Sequence, residues 1–270
     1  MSATQHVIVI TDLDGTLLDH NTYLYDAACP ALHILKKNNI PLILCSSKTA
    51  AEMVVIRQQL ENNEPFVVEN GAGIYIPTKT NNDHDAYEII CFSKGRESIL
   101  EALKKIHDKY NLPFTGFNDM QIETIMSLTE LTKEQAELAQ KRDFTEPLQW
   151  QGDASQWEQF CTELTQLGLV AVKGGRFICI SGRVNKGQAL KWLRNYYQQQ
   201  FGENPIVIAL GDSENDKQML EYADYSVLIR SPAHELPDIK ANNLIISDKF
   251  GPEGWNASMT NLLNDFSLIT

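Results

Sequence analysis

The chain of 270 residues is poor in the features that mark secreted, membrane-bound or nucleic-acid-binding proteins. Its five cysteines are odd in number and widely spaced, and no two stand as C-x-x-C. That pattern argues against a disulfide framework and a cysteine-held zinc site. Cys45 and Cys179 lie in apolar runs and are expected to be small core residues. No apolar run approaches the ~20 residues that a membrane-spanning helix needs. The opening stretch, MSATQHVIVITDLDG, has no basic segment and no cleavage signature. The expectation is a cytoplasmic protein, in which the Asn-Ala-Ser triplet at Asn256 carries no glycan. Positive charge is scarce: 23 Lys and Arg face 35 Asp and Glu, a net charge of -12. A field of that sign repels nucleic acid and anionic membrane, so neither is expected as a partner. A small phosphorylated substrate is still allowed, because a bound cation and a few lysines reverse the field inside a pocket. Repeats and low-complexity tracts are also absent. The 43% hydrophobic content is ample for one large domain or two modest ones.

Short apolar runs alternate with helical patterns. The runs are His6–Thr11, Pro41–Cys45, Phe66–Val68, Pro205–Leu210, Tyr225–Ile229 and Asn243–Ser247. Each is rich in Val, Ile and Leu and apolar throughout, as parallel strands buried on both faces are. Helical spacing fills 26–38, 49–63, 186–200 and 214–222. Strand–helix alternation predicts an α/β fold with a doubly wound parallel sheet. In such sheets ligands bind at the carboxyl ends of the strands. Asp12, Ser46, Asn70 and Asp212 all sit at or just past the end of a run, so the fold brings them to one rim.

The middle of the chain reads differently. A strand near Tyr87–Ser93, helices near 95–110, 132–142 and 155–167, and a hairpin across Gly174-Gly175 predict an α+β insertion over 85–184. The core is then 1–84 and 185–270. Thr78 and the polar residues after it form the entry, and 182–185 the exit.

Asp12-Leu13-Asp14-Gly15-Thr16 follows the first strand directly. A carboxylate there can attack phosphorus. A second one two residues on can protonate the leaving oxygen and later activate water. Gly15 permits a sharp turn, and Thr16 is expected to orient Asp14. A turn with a helix cap uses the same residues. Gly211-Asp212-Ser213-Glu214-Asn215-Asp216 ends another strand. Asp12 and Asp212 carboxylates with the Asp14 backbone carbonyl suit magnesium, a hard cation, with Asn215 and Asp216 as nearby ligands or supports. A divalent ion also removes the repulsion among clustered carboxylates and phosphate. Lys186 is placed to neutralise Asp12 and the transferring phosphate, Lys48 to do so on the substrate side, and Ser46 to donate to a phosphoryl oxygen. Either lysine alone would pass for a solvated surface residue.

Taken together, Asp12–Thr16, Ser46, Lys186 and Gly211–Asp216 resemble, in order, the four motifs of the haloacid dehalogenase-like phosphatases. The resemblance implies a Rossmann-like core, magnesium, a phosphoaspartyl intermediate at Asp12 and a general acid/base at Asp14. The Asn70-Gly71-Ala72 turn is similar to that of members with a large cap between the second and third motifs, the interval of the predicted insertion. Within the family, Cys45–Glu52, Glu69–Ala72, Arg142–Pro147 and Lys173–Phe177 resemble the branch acting on mannosyl-3-phosphoglycerate. That implies a phosphorylated-sugar or glycosyl-phosphoglycerate substrate. Ser47, Lys48 and Asn70 are then candidates for substrate contact. In the cap, Arg176 suits the substrate's carboxylate and Glu146 its sugar hydroxyls, although a surface hairpin and an exposed glutamate would read the same. Two other readings keep the fold: a phosphosugar mutase, and a sugar-phosphate-binding module without catalysis. Asp83-His84-Asp85 reads as solvated loop rather than metal site. Trp150, Trp157, Trp192 and Trp255 read as packing residues.

Overall fold

The computed structural model describes residues 6–78, 86–174 and 176–266. The elements in chain order are β1 (Val7–Thr11), α1 (Cys29–Lys37), β2 (Leu42–Cys45), α2 (Ala50–Gln59), β3 (Phe66–Val68), β4 (Gly73–Pro77) and β5 (Tyr87–Cys91). Then come α3 (Arg96–Tyr110), β6 (Phe114–Gly116), α4 (Ile122–Thr129), α5 (Lys133–Gln140), β7 (Glu146–Trp150), α6 (Ala154–Gln166), β8 (Leu169–Lys173) and β9 (Ile178–Gly182). The chain closes with α7 (Lys186–Phe201), β10 (Ile206–Gly211), α8 (Lys217–Tyr222), β11 (Tyr225–Arg230), β12 (Leu244–Phe250) and α9 (Gly251–Asp265).

The larger sheet has eight strands in the order β12-β11-β10-β1-β2-β3-β4-β5. Its first six are mutually parallel, and β4 and β5 are antiparallel additions at one side. Alternate residues of β1 explain why it reads apolar throughout. Val7 and Val9 pack with Leu35 of α1 and Trp255 and Met259 of α9, whereas Ile8 and Ile10 pack with Leu190 and Leu193 of α7 and Met219 of α8. Both faces are therefore covered, the condition for an all-apolar strand. Local signals set the helix starts. Thr49 and Glu52 form a capping box before α2, Asn185 caps α7 through the Gln188 amide, and Pro30 stands in the first turn of α1.

The second sheet is antiparallel, in the order β6-β7-β9-β8. Helices α3 and α6 cover it over a core that includes Leu103, Leu148, Phe160 and Ile180. β5 departs from expectation. The sequence reading opens the insertion at 85, but Tyr87–Cys91 joins the larger sheet, paired from Gly73↔Cys91 to Pro77↔Tyr87. The reason is that β4, hidden behind the Asn70–Ala72 turn, offers an antiparallel edge close in sequence. Residues 79–85, with Asp83, His84 and Asp85, lie outside the described residues. The tryptophans pack: Trp255 is fully buried and donates to Thr11 Oγ1 at 3.0 Å, Trp150 and Trp157 join Phe160, and Trp192 stacks on Tyr196.

Candidate active site

The parallel register carries β1, β2, β3 and β10 to a common rim. Thr11 lies opposite both Leu210 and Leu44, and Cys45 opposite Val67. The residues that follow, Asp12, Ser46, Asn70 and Asp212, therefore emerge at one edge. Oxygens of Asp12, Asp212 and Asp216 all lie within 4.8 Å of one another. Lys186 Nζ, fully buried at the start of α7, is 2.5 Å from Asp12 Oδ1 and 2.6 Å from Asp216 Oδ1. Lys48 Nζ is 2.7 Å from Asp14 Oδ2. The other Asp14 oxygen, Oδ1, is buried with no hydrogen-bond partner among the described residues.

Two glycines allow this crowding. Gly15 has φ +79°, and a Cβ there would lie 2.6 Å from Asp212 Oδ2. Gly71 has φ +92°, and a Cβ there would lie 2.3 Å from the Asn185 carbonyl, just before Lys186. Each position needs a residue that tolerates left-handed backbone and has no side chain. Thr16 does not orient Asp14 as the sequence suggests. Its hydroxyl donates to Asp212 Oδ1 at 3.1 Å, because the turn folds back under β10.

Charge is the dominant feature. Four carboxyl groups (Asp12, Asp14, Asp212, Asp216) meet two lysine side chains (Lys48, Lys186), an excess of acidic oxygens over positive charge. Burial pushes the Asp12 carboxyl well above its ordinary range; Lys186 opposes that, while Asp216, Asp212 and Asp14 add to it. Burial also raises Asp212, with Asp216 adding to it and His234 and Thr16 working against it. Burial alone would lower Lys186, but Asp12 and Asp216 override it and hold the lysine as an ammonium. An excess of hard oxygen ligands beside an orphaned carboxylate oxygen fits a magnesium-type ion.

Asp216, one of the three clustered carboxyl groups, is also held by protein donors. Its Oδ2 accepts from the amides of Asp212 and Ser213, both at 3.1 Å, and from Ser213 Oγ at 3.3 Å, while Oδ1 holds Lys186. Asn215 is engaged as well, donating to Asn70 Oδ1 at 3.0 Å and accepting from Ser213 Oγ. Both are thus engaged by protein partners at the rim. Ser46 Oγ accepts only a long 3.3 Å bond from the Lys48 amide, so its hydroxyl proton has no partner among the described residues.

Residues 9–248 match the haloacid dehalogenase-like hydrolase family. The chain belongs to the haloacid dehalogenase-like hydrolases. It is 35% identical over 268 residues to a glucosyl-3-phosphoglycerate/mannosyl-3-phosphoglycerate phosphatase of Persephonella marina, covering 96% of this chain and 98% of the relative. It is 38% identical over 264 residues to a protein of the same description from Methanococcoides burtonii, covering 95% and 97%. Among solved structures, a phosphatase of the haloalkanoate (HAD) superfamily from Bacteroides thetaiotaomicron shares the fold, with a TM-score of 0.69 at 17% identity over 99% of this chain and 97% of that one. Family and relatives make this haloacid dehalogenase-like chain a phosphoric monoester hydrolase.

The two cap candidates lie apart from the cluster. Glu146 is fully buried. Its Oε2 meets Arg96 Nε at 2.7 Å and Nη2 at 2.6 Å, and its Oε1 accepts from the Asn118 amide at 2.7 Å. The carboxylate is thus committed inside the second unit rather than open to a sugar. Burial still raises its carboxyl, against the pull of Asn118 and Arg96. Arg176, with its side chain 56% exposed, donates to the Leu128 carbonyl at 3.1 Å and lies 3.8 Å from Glu130, at the end of α4.

His234 escaped the sequence reading, and Glu69 and Arg142 entered it only within stretches of family resemblance, with no role of their own. His234, in the coil after β11, places Nε2 3.0 Å from Asp212 Oδ2; no spacing rule links it to that aspartate. Glu69 is buried with φ +49° and accepts from the Asp143 amide (2.8 Å), the Phe144 amide (3.2 Å) and Thr145 Oγ1 (2.6 Å). Arg142 donates to the Ser47 carbonyl at 2.9 Å. The last two tie the segment before β7 onto the loop that carries Ser46 and Lys48.

Proposed function

We propose that the protein is a magnesium-dependent phosphatase of glycosyl-3-phosphoglycerates. It takes mannosyl-3-phosphoglycerate to mannosylglycerate and phosphate through a phosphoaspartyl intermediate on Asp12. The observation that carries this reading is Asp12 at the strand end, with Oδ1 held by buried Lys186 and the Asp14–Lys48 pair beside it. With Oδ1 occupied, Oδ2 attacks phosphorus in line, forming the O–P bond as the ester O–P bond breaks. Asp14 gives its proton to the departing oxygen, and mannosylglycerate leaves. Asp14 then takes a proton from water, which attacks phosphorus, releases phosphate and restores Asp12. Ser46 donates to a phosphoryl oxygen. Lys48, Ser47 and Asn70 lie where the substrate side of the phosphate would be bound. Asp12, Asp212 and the Asp14 carbonyl would hold the magnesium, which when bound neutralises charge on the phosphoryl oxygens.

The unit built on the second sheet would act as a cap that selects the leaving group and excludes water. The names of the relatives support the substrate, because they share the chain over nearly its full length, cap included. A phosphate-release screen with magnesium over sugar phosphates and glycosyl-phosphoglycerates tests the proposal. Preference for a glycosyl-3-phosphoglycerate by orders of magnitude is expected, and flat, weak rates would reject the substrate. Asp12→Asn should abolish turnover; substantial residual activity would reject the nucleophile.

A further inference from the structure

In-line attack by Asp12 puts the leaving oxygen on the far side of phosphorus, where Asp14 has to reach it. Lys48, 2.7 Å from Asp14, marks that side. The cavity that contains Lys48 has a volume of about 500 Å³, of the size that binds small ligands. It opens between the loop after the Asp14 turn, α2 and the 131–138 stretch of the second unit, and Tyr23, Val55, Leu131, Gln135 and Leu138 are among its walls.

Tyr23 is unusual in two ways. It is 48% exposed, and its φ of +58° lies in the left-handed region that an aromatic side chain seldom enters. The surrounding loop enforces that backbone. Asp19 Oδ1 accepts from the amides of Asn21 (3.1 Å) and Thr22 (2.8 Å) and from Thr22 Oγ1 (2.9 Å). The Asp19 carbonyl accepts from the Tyr23 amide at 3.0 Å, and the Asp19 amide donates to Leu24 at 2.9 Å. The result is a ring whose centroid lies 5.3 Å from Lys48 Nζ, at the mouth of the cavity. Strain of this kind is retained where the surroundings over-determine it, and such places cluster at ligand sites.

We propose that Tyr23 is a specificity-determining residue: its ring is the platform on which the sugar ring of the leaving group stacks. The apolar C–H face of a hexose matches an aromatic face and the Leu131 and Leu138 wall, while Gln135 supplies an amide for hydroxyls. The proposal rests on the phosphatase reading above and names how that site reads the glycosyl part. A phosphate ester without a sugar ring does not reach this cavity wall.

The test compares kcat/KM for a glycosyl-3-phosphoglycerate with that for 3-phosphoglycerate, in wild type, Tyr23→Ala and Tyr23→Phe. Both variants keep a Cβ, so the backbone constraint at φ +58° is common to them. The ratio of glycosylated to plain substrate should fall about tenfold in Tyr23→Ala, mostly through KM, and stay within about twofold of wild type in Tyr23→Phe. A ratio unchanged in Tyr23→Ala overturns the proposal, whether both rates hold or both fall together; a joint fall assigns Tyr23 to the support of Lys48 instead. If wild type ignores glycosyl-phosphoglycerates, that substrate reading falls by itself. The same ratio is then taken between the sugar phosphate turned over best and glycerol phosphate, and the same two outcomes decide the role of Tyr23. Unchanged thermal melting of the variants confirms that folding is not what is measured.

Discussion

Replacing Lys186 by methionine keeps most of the side-chain volume and deletes one buried charge. The ammonium is fully buried between Asp12, at 2.5 Å, and Asp216, at 2.6 Å, with no solvent to take its place. Removing one partner of a buried ion pair costs about 3–5 kcal/mol, because the remaining charge is left uncompensated. Against a total stability of about 5–15 kcal/mol the variant still folds. At roughly 2–4 °C per kcal/mol for a chain of this size, the melting temperature should drop by about 6–20 °C in the absence of magnesium. The loss should depend on pH. Without Lys186 the Asp12 carboxyl, already raised by burial, is raised further. A carboxyl raised above its unfolded value stabilises the fold in its protonated form, fully below that value and progressively less as pH climbs. The gap between variant and wild type should therefore be widest at pH 8 and narrow toward pH 5. Turnover should fall by about 10²–10³, the usual loss when a preorganised charge at a reacting group is removed. Calorimetry at the two pH values and phosphate release under saturating magnesium measure both effects. A variant that melts with wild type at both pH values, or that retains more than a tenth of wild-type kcat, would refute the electrostatic account.

Magnesium should stabilise the wild-type protein more at pH 8 than at pH 5. Asp12 and Asp212 are both raised by burial, so their protonated forms compete with the ion as pH falls toward the ordinary carboxylate range. The shift in melting temperature with added magnesium reads this, and a shift that grows toward acid would place the ion elsewhere. Arg96→Met should destabilise by about 3–5 kcal/mol, because Glu146 is left buried without its counter-charge. Arg96→Met with Glu146→Gln should recover much of that loss in denaturant unfolding, and no recovery would mean that the pair contributes through packing alone.

The rim was legible because backbone topology alone assembles it. Once four apolar runs are read as parallel strands, Asp12, Ser46, Asn70 and Asp212 have one place to go, and side-chain detail is not needed to bring them there. The same logic failed for β5, where a short strand had two possible sheets and no periodicity to choose between them. It failed for Thr16, whose partner is set by a turn folding back under another strand. It had no hold on His234, which reaches Asp212 from a coil of no fixed geometry.

Arg142–Pro147 shows the difference most clearly. In the sequence this stretch carries part of a family resemblance, and Glu146 stands out as a polar residue in search of a ligand. In the fold, the charges of Glu146 and Arg142 both find protein partners. Glu146 is held by Arg96, while Arg142 reaches the Ser47 carbonyl and lies 3.5 Å from Glu69, which also gathers the Asp143, Phe144 and Thr145 donors. Glu69, Asn70 and Gly71 all have positive φ, strain that these contacts offset. The backbone of that turn in turn grips the loop that carries Lys48: the Glu69 amide donates to the Lys48 carbonyl at 3.0 Å and the Asn70 amide to the Ser46 carbonyl at 2.9 Å. A motif on the second unit thus acts on the first through a buried carboxylate and a left-handed turn. The segment before β7 and the loop that carries Lys48 are therefore joined through the Glu69–Gly71 turn and Arg142.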